Sequence, residues 1–290
     1  MYKLTVVILT YNEEIHIARA IRNVLNWADK VIVLDSYSQD KTVEIAKELA
    51  AEVIFRKFDD YKHQRLHAIE YCKPITEWML FLDADEYLLE ESKVEIKNKI
   101  NQKNNIAGYY VPRRFIFMKK WIRYGGYYPC YLMRLFKPEK ASIYGAVNEH
   151  ILIDGEVAKL KYDVVDHNLK DIASWVHKHD KYTDLESLRL WQAKNSQKKK
   201  NYFSSLMRLE GKDWIRENIW NYLPLLIKPF FYFVYRYFIR FGFLDGKAGF
   251  IYHLLQGWWY YFMIDVKYIE MKMNAADHSI KNEKPLADSD

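Results

Sequence analysis

The sequence predicts an α/β fold, with a central, mostly parallel sheet followed by C-terminal amphipathic helices. Two observations carry this. Apolar, β-branched runs alternate with helical patterns over the first third of the chain, and three of those runs end in polar or acidic clusters. Beyond residue 198 the pattern gives way to basic and aromatic segments.

The first run, Lys3 to Leu9, ends in Thr10-Tyr11-Asn12-Glu13-Glu14. It is too short for a signal peptide and is expected to be a strand. Thr10 with Glu13 fits a capping box, and Asn12 could equally cap the following helix, which carries Ile17, Ile21, Val24 and Leu25 on one face. Lys30 to Leu34 then enters Asp35-Ser36-Tyr37-Ser38-Gln39-Asp40, ahead of a helix over 41–51. Glu52 to Phe55 is a third strand, His63 to Cys72 a helix, and Trp78 to Leu82 a fourth strand. A Lys- and Asn-rich helix over 91–104 leads to extended segments at 106–118, 131–137 and 157–165, separated by Gly and Pro. A helix follows from Asp171 to about Ser196. The expected organisation is a nucleotide-binding half over 1–105, a second half of the same domain over 106–197, a helical region over 198–273 and a disordered tail over 274–290.

With 290 residues, 50% of them hydrophobic, the chain can bury a full core. Cys72 and Cys130 form no CxxC pair and are expected as core thiols in a reducing environment. The net charge is +6, and 17% aromatic residues with 9 Trp suit a membrane surface or a carbohydrate better than a DNA groove. No nucleic-acid partner is expected. No GxGxxG or GxxxxGK[ST] follows any strand, which argues against a dinucleotide dehydrogenase and a P-loop enzyme.

The chemistry concentrates at strand ends, where ligands sit in parallel sheets. Five large apolar residues, Trp78 to Leu82, run into Asp83-Ala84-Asp85-Glu86. Two aspartates one residue apart can share Mg²⁺ or Mn²⁺, which can carry a diphosphate, although the same residues also suit a polar loop. Asp35 could accept hydrogen bonds from a ribose or base, or simply form a turn. Glu149, in Ala146-Val147-Asn148-Glu149-His150, would serve as a general base near an acceptor hydroxyl. His167 could be a third metal ligand or a phosphate donor. The middle third is dense in Tyr, Trp and Arg, including Arg114, Tyr128 and Arg134, which offer flat faces to sugar rings and fork donors to phosphate.

Two later segments stand out. Phe230 to Phe243 holds nine aromatic residues with Arg236 and Arg240, and Ala248 to Ile264 is seventeen residues without a formal charge. Both are poor spans and are expected to lie as basic, aromatic helices in a membrane interface, the alternative being that they pack on the catalytic domain or form an oligomer contact.

Together these pieces resemble glycosyltransferase family 2, and most closely the bacterial enzymes that add glucose or a similar hexose to the lipopolysaccharide core. The matching stretches are Ile8 to Glu14, Leu34 to Asp40, Leu82 to Glu86, Asn148 to His150 and Gly242 to Phe250. The resemblance implies a glycosyltransferase A fold and an inverting transfer from a UDP-sugar. Thr10, Tyr11, Glu13, Asp35, Gln64, Asp83 and Ala84 would contact the donor. Asp85, Asp83 and His167 would hold Mg²⁺ or Mn²⁺. Arg114, Tyr128, Arg134 and His150 would meet the acceptor, and Glu149 would be the base. Many members carry Glu-Asp where this chain has Asn148-Glu149-His150, so either Glu149 or His150 could take the proton. The implied acceptor is a lipopolysaccharide core or similar glycolipid, met at the inner face of the cytoplasmic membrane by a peripheral cytoplasmic enzyme. Alternatives are a sugar nucleotidyltransferase, whose glycine-rich first loop is missing here, and a non-catalytic membrane-surface scaffold.

Overall fold

The computed structural model describes residues 1–49, 51–144, 150–195 and 224–282. The chain divides into two compact units, Met1–Leu169 and Lys170–Asp290.

The first unit opens with β1 (Tyr2–Thr10), α1 (Glu14–Val24), β2 (Lys30–Asp35), α2 (Thr42–Glu48), β3 (Glu52–Phe55), α3 (Tyr61–Cys72) and β4 (Thr76–Asp83). These four strands pair in parallel in the order β3-β2-β1-β4. Alternation along β1 sends Leu4, Val6 and Ile8 to one face, against Ile17, Ala20 and Ile21 of α1 and Ile96 and Ile100 of α4 (Glu90–Asn101). Val7, with Met79 and Phe81 of β4, faces the other way onto Ala68 and Ile69 of α3. With both faces covered, the strands read as unbroken apolar runs, and each fully buried branched side chain contributes about 1.5–3 kcal/mol.

Past β4 the sheet becomes mixed. β4 is antiparallel to β8 (Cys130–Phe136), which is antiparallel to β6 (Ile106–Phe117). Next come β12 (Val164–His167), parallel to β6, and β5 (Glu86–Leu88), antiparallel to β12. β7 (Lys120–Trp121) and β11 (Glu156–Lys159) also pair with β6. A hairpin of β9 (Ala141–Tyr144) and β10 (His150–Ile153) packs Ala141 and Ile151 onto the α3 face.

Several local expectations change. The strand expected over 157–165 is two, because the Glu95 carboxylate accepts the amides of Lys161 and Tyr162 and so takes them out of the ladder. The capping box is not formed. Glu13 turns to His16, with Oε2 2.6 Å from Nδ1, while the amides of Asn12, Glu13 and Glu14 donate to Ser38, Thr42 and Asp40. Cys72 is buried as expected, but Cys130 is only half-buried.

The second unit begins with α5 (Ile172–Asn195) and ends with a helix over Tyr260–Asn282, which runs into the stretch expected as tail. Leu190, Tyr232, Tyr260, Tyr261, Ile264 and Tyr268 form its core. Between these helices the chain takes tight turns: a helix at Lys228–Val234, π geometry at Tyr235–Ile239, a 3₁₀ turn at Gly242–Asp245, a helix at Gly246–Tyr252 and π geometry again at His253–Trp259. Two close approaches hold the bend. A Cβ on Gly249 would lie 2.4 Å from the Asp245 Cβ, and one on Gly242 would lie 2.5 Å from the His253 ring. The residues of 248–264 read as interfacial turn largely inward, with Tyr252, His253, Tyr260, Tyr261 and Ile264 buried. No helix among the described residues is long and apolar enough to cross a membrane.

Burial drives the His179 imidazole down to about 4 and that of His253 to about 3, from an ordinary 6.5. The unfolded chain therefore binds more protons between those values, and stability is lost as pH falls below 6.5. Acid titration followed by tryptophan fluorescence, which reports Trp175 stacked on His179, is expected to show the second unit loosening there.

Candidate active site

The carboxyl ends of β2, β1 and β4 lie level. Thr10 pairs with Asp35, and Leu9 with Asp83. Asp35 is fully buried and holds the β2–α2 loop: Ser38 donates its amide to Oδ1 at 2.7 Å and its hydroxyl to Oδ2 at 2.5 Å. A carboxylate keeps further lone pairs after two such bonds, so Asp35 retains the capacity to accept from a nucleoside. The loops after β1 and β2 are stitched in both directions, since Gln39 and Lys41 return amides to Asn12 Oδ1 and Glu14 Oε2. Thr10 is buried, and its hydroxyl has no hydrogen-bond partner among the described residues. Tyr11 is exposed beside it, and buried Gln64 donates to Ser36 Oγ at 2.9 Å while accepting from Arg56.

The acidic rim is built differently from the expected pair of twin ligands. Asp83 Oδ2 accepts from Arg134 Nη2 at 2.7 Å, and Arg65 lies 3.8 Å from Oδ1. Asp85 Oδ2 accepts from the neutral amide of Asn168 at 3.0 Å, and its carbonyl accepts from Arg19 and from the His167 amide. Ala84, between them, is buried. Asp83 is thus drawn to guanidinium groups on one side while Asp85 is tied to the end of β12 on the other.

His167 sits at that end. Its carbonyl accepts from Arg19 Nη2 at 2.7 Å, and its Nδ1 is 3.5 Å from Arg19 Nη1. Burial first, then Arg19 and His16, lower its pKa, so the ring is neutral and able to ligate. The expected trio of Asp83, Asp85 and His167 does not close into a cage. Among the described residues, the His, Cys and carboxylate group whose ligand atoms all lie within 4.8 Å of one another is Asp59, Asp60 and His63. Hard oxygen donors do suit Mg²⁺ or Mn²⁺. Of the two aspartates, Asp85, whose carboxylate meets a neutral amide rather than a guanidinium, fits a cation better.

Arg134 needs correction. It was expected to meet an acceptor, yet it is buried as an internal tie. Tyr109 pairs with Leu135 and Tyr110 with Met133, which leaves Arg134 as the extra residue of a β-bulge. The bulge aims Nη2 between Asp83 Oδ2 and Glu86 Oε1, 2.7 Å from each. Glu86 also accepts the Asp83 amide at 2.9 Å. Burial pushes the Glu86 carboxyl up to about 8, with Arg134 opposing. Burial likewise disfavours the Arg134 charge, but Asp83 and Glu86 hold its pKa above the ordinary value.

Arg114 and Tyr128 are half-buried beside a second internal tie. Both bind the buried Asp163, through Arg114 Nε at 2.8 Å and the Tyr128 hydroxyl at 2.9 Å, and both pack on Trp121. Glu149 lies outside the described residues, as does the side chain of His150, whose backbone opens β10. Sequence reasoning missed three residues. Arg19 ties β12 to the acidic rim, and Asn168 holds Asp85. His16, fully buried, pairs with Glu13 and accepts the Leu169 amide at 2.7 Å. Nothing local in the sequence marks them, because each acts across more than eighty residues or from within a helix.

The model of the family described as glycosyl transferase family 2 matches residues 5–154, just over half of the chain, which takes in Asp35, Asp83 and Asp85 but ends before His167 and Asn168. The chain belongs to glycosyl transferase family 2. An uncharacterised glycosyltransferase of Rickettsia typhi is 45% identical over 97 residues, 33% of this chain and 32% of that protein. The glycosyltransferase SunS of Bacillus phage SPbeta is 37% identical over 92 residues, 31% of this chain and 21% of that one. The match thus spans about a third or less of these relatives' length. Among solved structures, glucosyl-3-phosphoglycerate synthase from Mycobacterium tuberculosis, in complex with Mn²⁺, UDP and phosphoglyceric acid, is 13% identical. It covers 60% of this chain and 73% of its own, with a TM-score of 0.42.

Proposed function

We propose that this protein is an inverting, metal-dependent glycosyltransferase that moves a hexose, with glucose favoured, from a UDP-sugar to a lipopolysaccharide core or similar membrane-held glycan. The observation that carries the reading is the meeting of Asp35, Asp83 and Asp85 at one edge of the sheet, inside the stretch matched by the family. Asp35 and Gln64 would receive the nucleoside, and Asp85, supported by Asn168, would anchor the cation. Bound Mg²⁺ or Mn²⁺ supplies Lewis-acid stabilisation of the charge that develops on the diphosphate. Glu149 takes the proton of the acceptor hydroxyl as that oxygen bonds to the anomeric carbon. The bond from that carbon to the diphosphate breaks on the opposite face, releasing UDP and inverting the configuration.

A donor screen against extracted membranes, reading released nucleoside diphosphate, tests the reading. Release of UDP that depends on both acceptor and metal is expected, whereas release of pyrophosphate, or of nothing from any donor, overturns it. Asp35→Ala is expected to weaken UDP binding about ten- to a hundredfold in calorimetry, since a buried charged acceptor is worth ~1.5–3 kcal/mol.

A further inference from the structure

The bend of the second unit presents an unusual surface. Phe238, Ile239, Phe241, Phe243 and Leu244 lie within seven residues and are 43–63% exposed, and Phe250 adjoins them at 42%. Soluble surfaces carry single exposed apolar residues routinely, but not five on one turn. The backbone produces this exposure. The π geometry of Tyr235–Ile239 runs into Phe241, whose φ of 59° is left-handed, and Gly242 then tucks inward beneath the rings. A bulky residue seldom adopts that conformation, so the turn holds Phe241 outward at a conformational cost.

The exposed charges within residues 224–265 have one sign. Arg240 and Lys247 are exposed. From Pro224 to Asp265 the carboxylates are Asp245 and Asp265, and both are buried. An apolar apex flanked by cations, with no exposed anion in its own segment 224–265, complements an anionic lipid surface, where rings enter the acyl boundary and basic groups meet phosphate. A second copy fits poorly, because a two-fold contact through this face brings two sets of Arg240 and Lys247 together with no exposed carboxylate of 224–265 to pair them.

We propose that the turn Phe238–Leu244 is a membrane-insertion element that docks the protein on bilayers containing anionic phospholipid. This deepens the reading of a membrane-held acceptor and rests on it for its purpose, whereas lipid binding itself is independent of transfer. It also narrows the contact from the two long apolar segments to the end of the first of them and the Leu244 that follows.

The test is sedimentation of the full chain with vesicles of phosphatidylcholine alone or mixed with phosphatidylglycerol, in parallel with gel filtration. The protein is expected to pellet with the mixed vesicles and to be released in part by salt. Phe238→Ser with Phe243→Ser is expected to lower partitioning at least about tenfold. Arg240→Gln and Lys247→Gln are each expected to lower it about fivefold, only on anionic vesicles. All four positions are exposed, so circular dichroism and the melting midpoint should stay at wild-type values. Failure of the wild-type protein to pellet overturns the proposal, as does undiminished pelleting of the double variant. A wild-type dimer that the double variant dissociates overturns it in favour of self-association. UDP release from the donor by the double variant, on transfer to a soluble acceptor, keeps the transferase reading separate, since that activity is expected to persist.

Discussion

Asp85→Asn is expected to lower sugar transfer about a thousandfold, the scale seen when one preorganised group at a developing charge is removed. The substitution is chosen for what it preserves. An Asn oxygen still accepts from the Asn168 amide, so the tie between the β4 rim and the end of β12 remains. What is lost is the negative charge that a hard cation requires. The melting midpoint should move by no more than about 2 °C, the range of a substitution that breaks no buried contact. Mn²⁺ binding, followed by calorimetry without nucleotide, should fall with the activity. Near-wild-type turnover would remove the cation from the reaction.

Arg134→Met is expected to have the largest effect on stability, about 3–5 kcal/mol, because it strips the guanidinium from a buried carboxylate. Its pH dependence follows from Glu86, which burial already raises to about 8. Without Arg134 that pKa rises further, and the carboxyl stays protonated when folded while ionising when unfolded. A folded-state pKa above the unfolded value means stability is lost as pH rises. The deficit in melting midpoint should therefore be level in mildly acidic solution and widen above about pH 8, where the wild-type carboxyl ionises in the folded state and the variant's does not. A constant deficit would show that Arg134 acts through packing rather than through charge.

The parallel half of the sheet was legible because β1, β2 and β4 are buried on both faces, and burial of that kind writes an unbroken apolar run. The acidic rim was legible for the same reason, since the run stops where the polar edge begins. The far half was less so. β5 has three residues and exists through pairing of Leu88 with Val164, a contact that no local pattern encodes. Arg134 was misread because a bulge depends on how two strands register, and an arginine in an otherwise apolar strand looks like one facing solvent. The tie of Arg114 and Tyr128 was not legible either, because their partner Asp163 lies in the gap that Glu95 opens between β11 and β12. The aromatic C-terminal segments were visible at once, but periodicity treated each as a regular helix. The tight turns that decide which rings face outward arise from Gly242, Gly246 and Gly249 acting together.

The clasp of Gly242 and Gly249 against His253 and Asp245 bears on kinetics. Because the apex is set before any encounter, attachment needs no prior ordering of a floppy segment, and its speed should follow collision frequency and ionic strength alone. Either glycine exchanged for alanine would loosen the clasp and turn a single fast phase into a slower, multi-step capture, visible by stopped-flow energy transfer from tryptophan to labelled lipid.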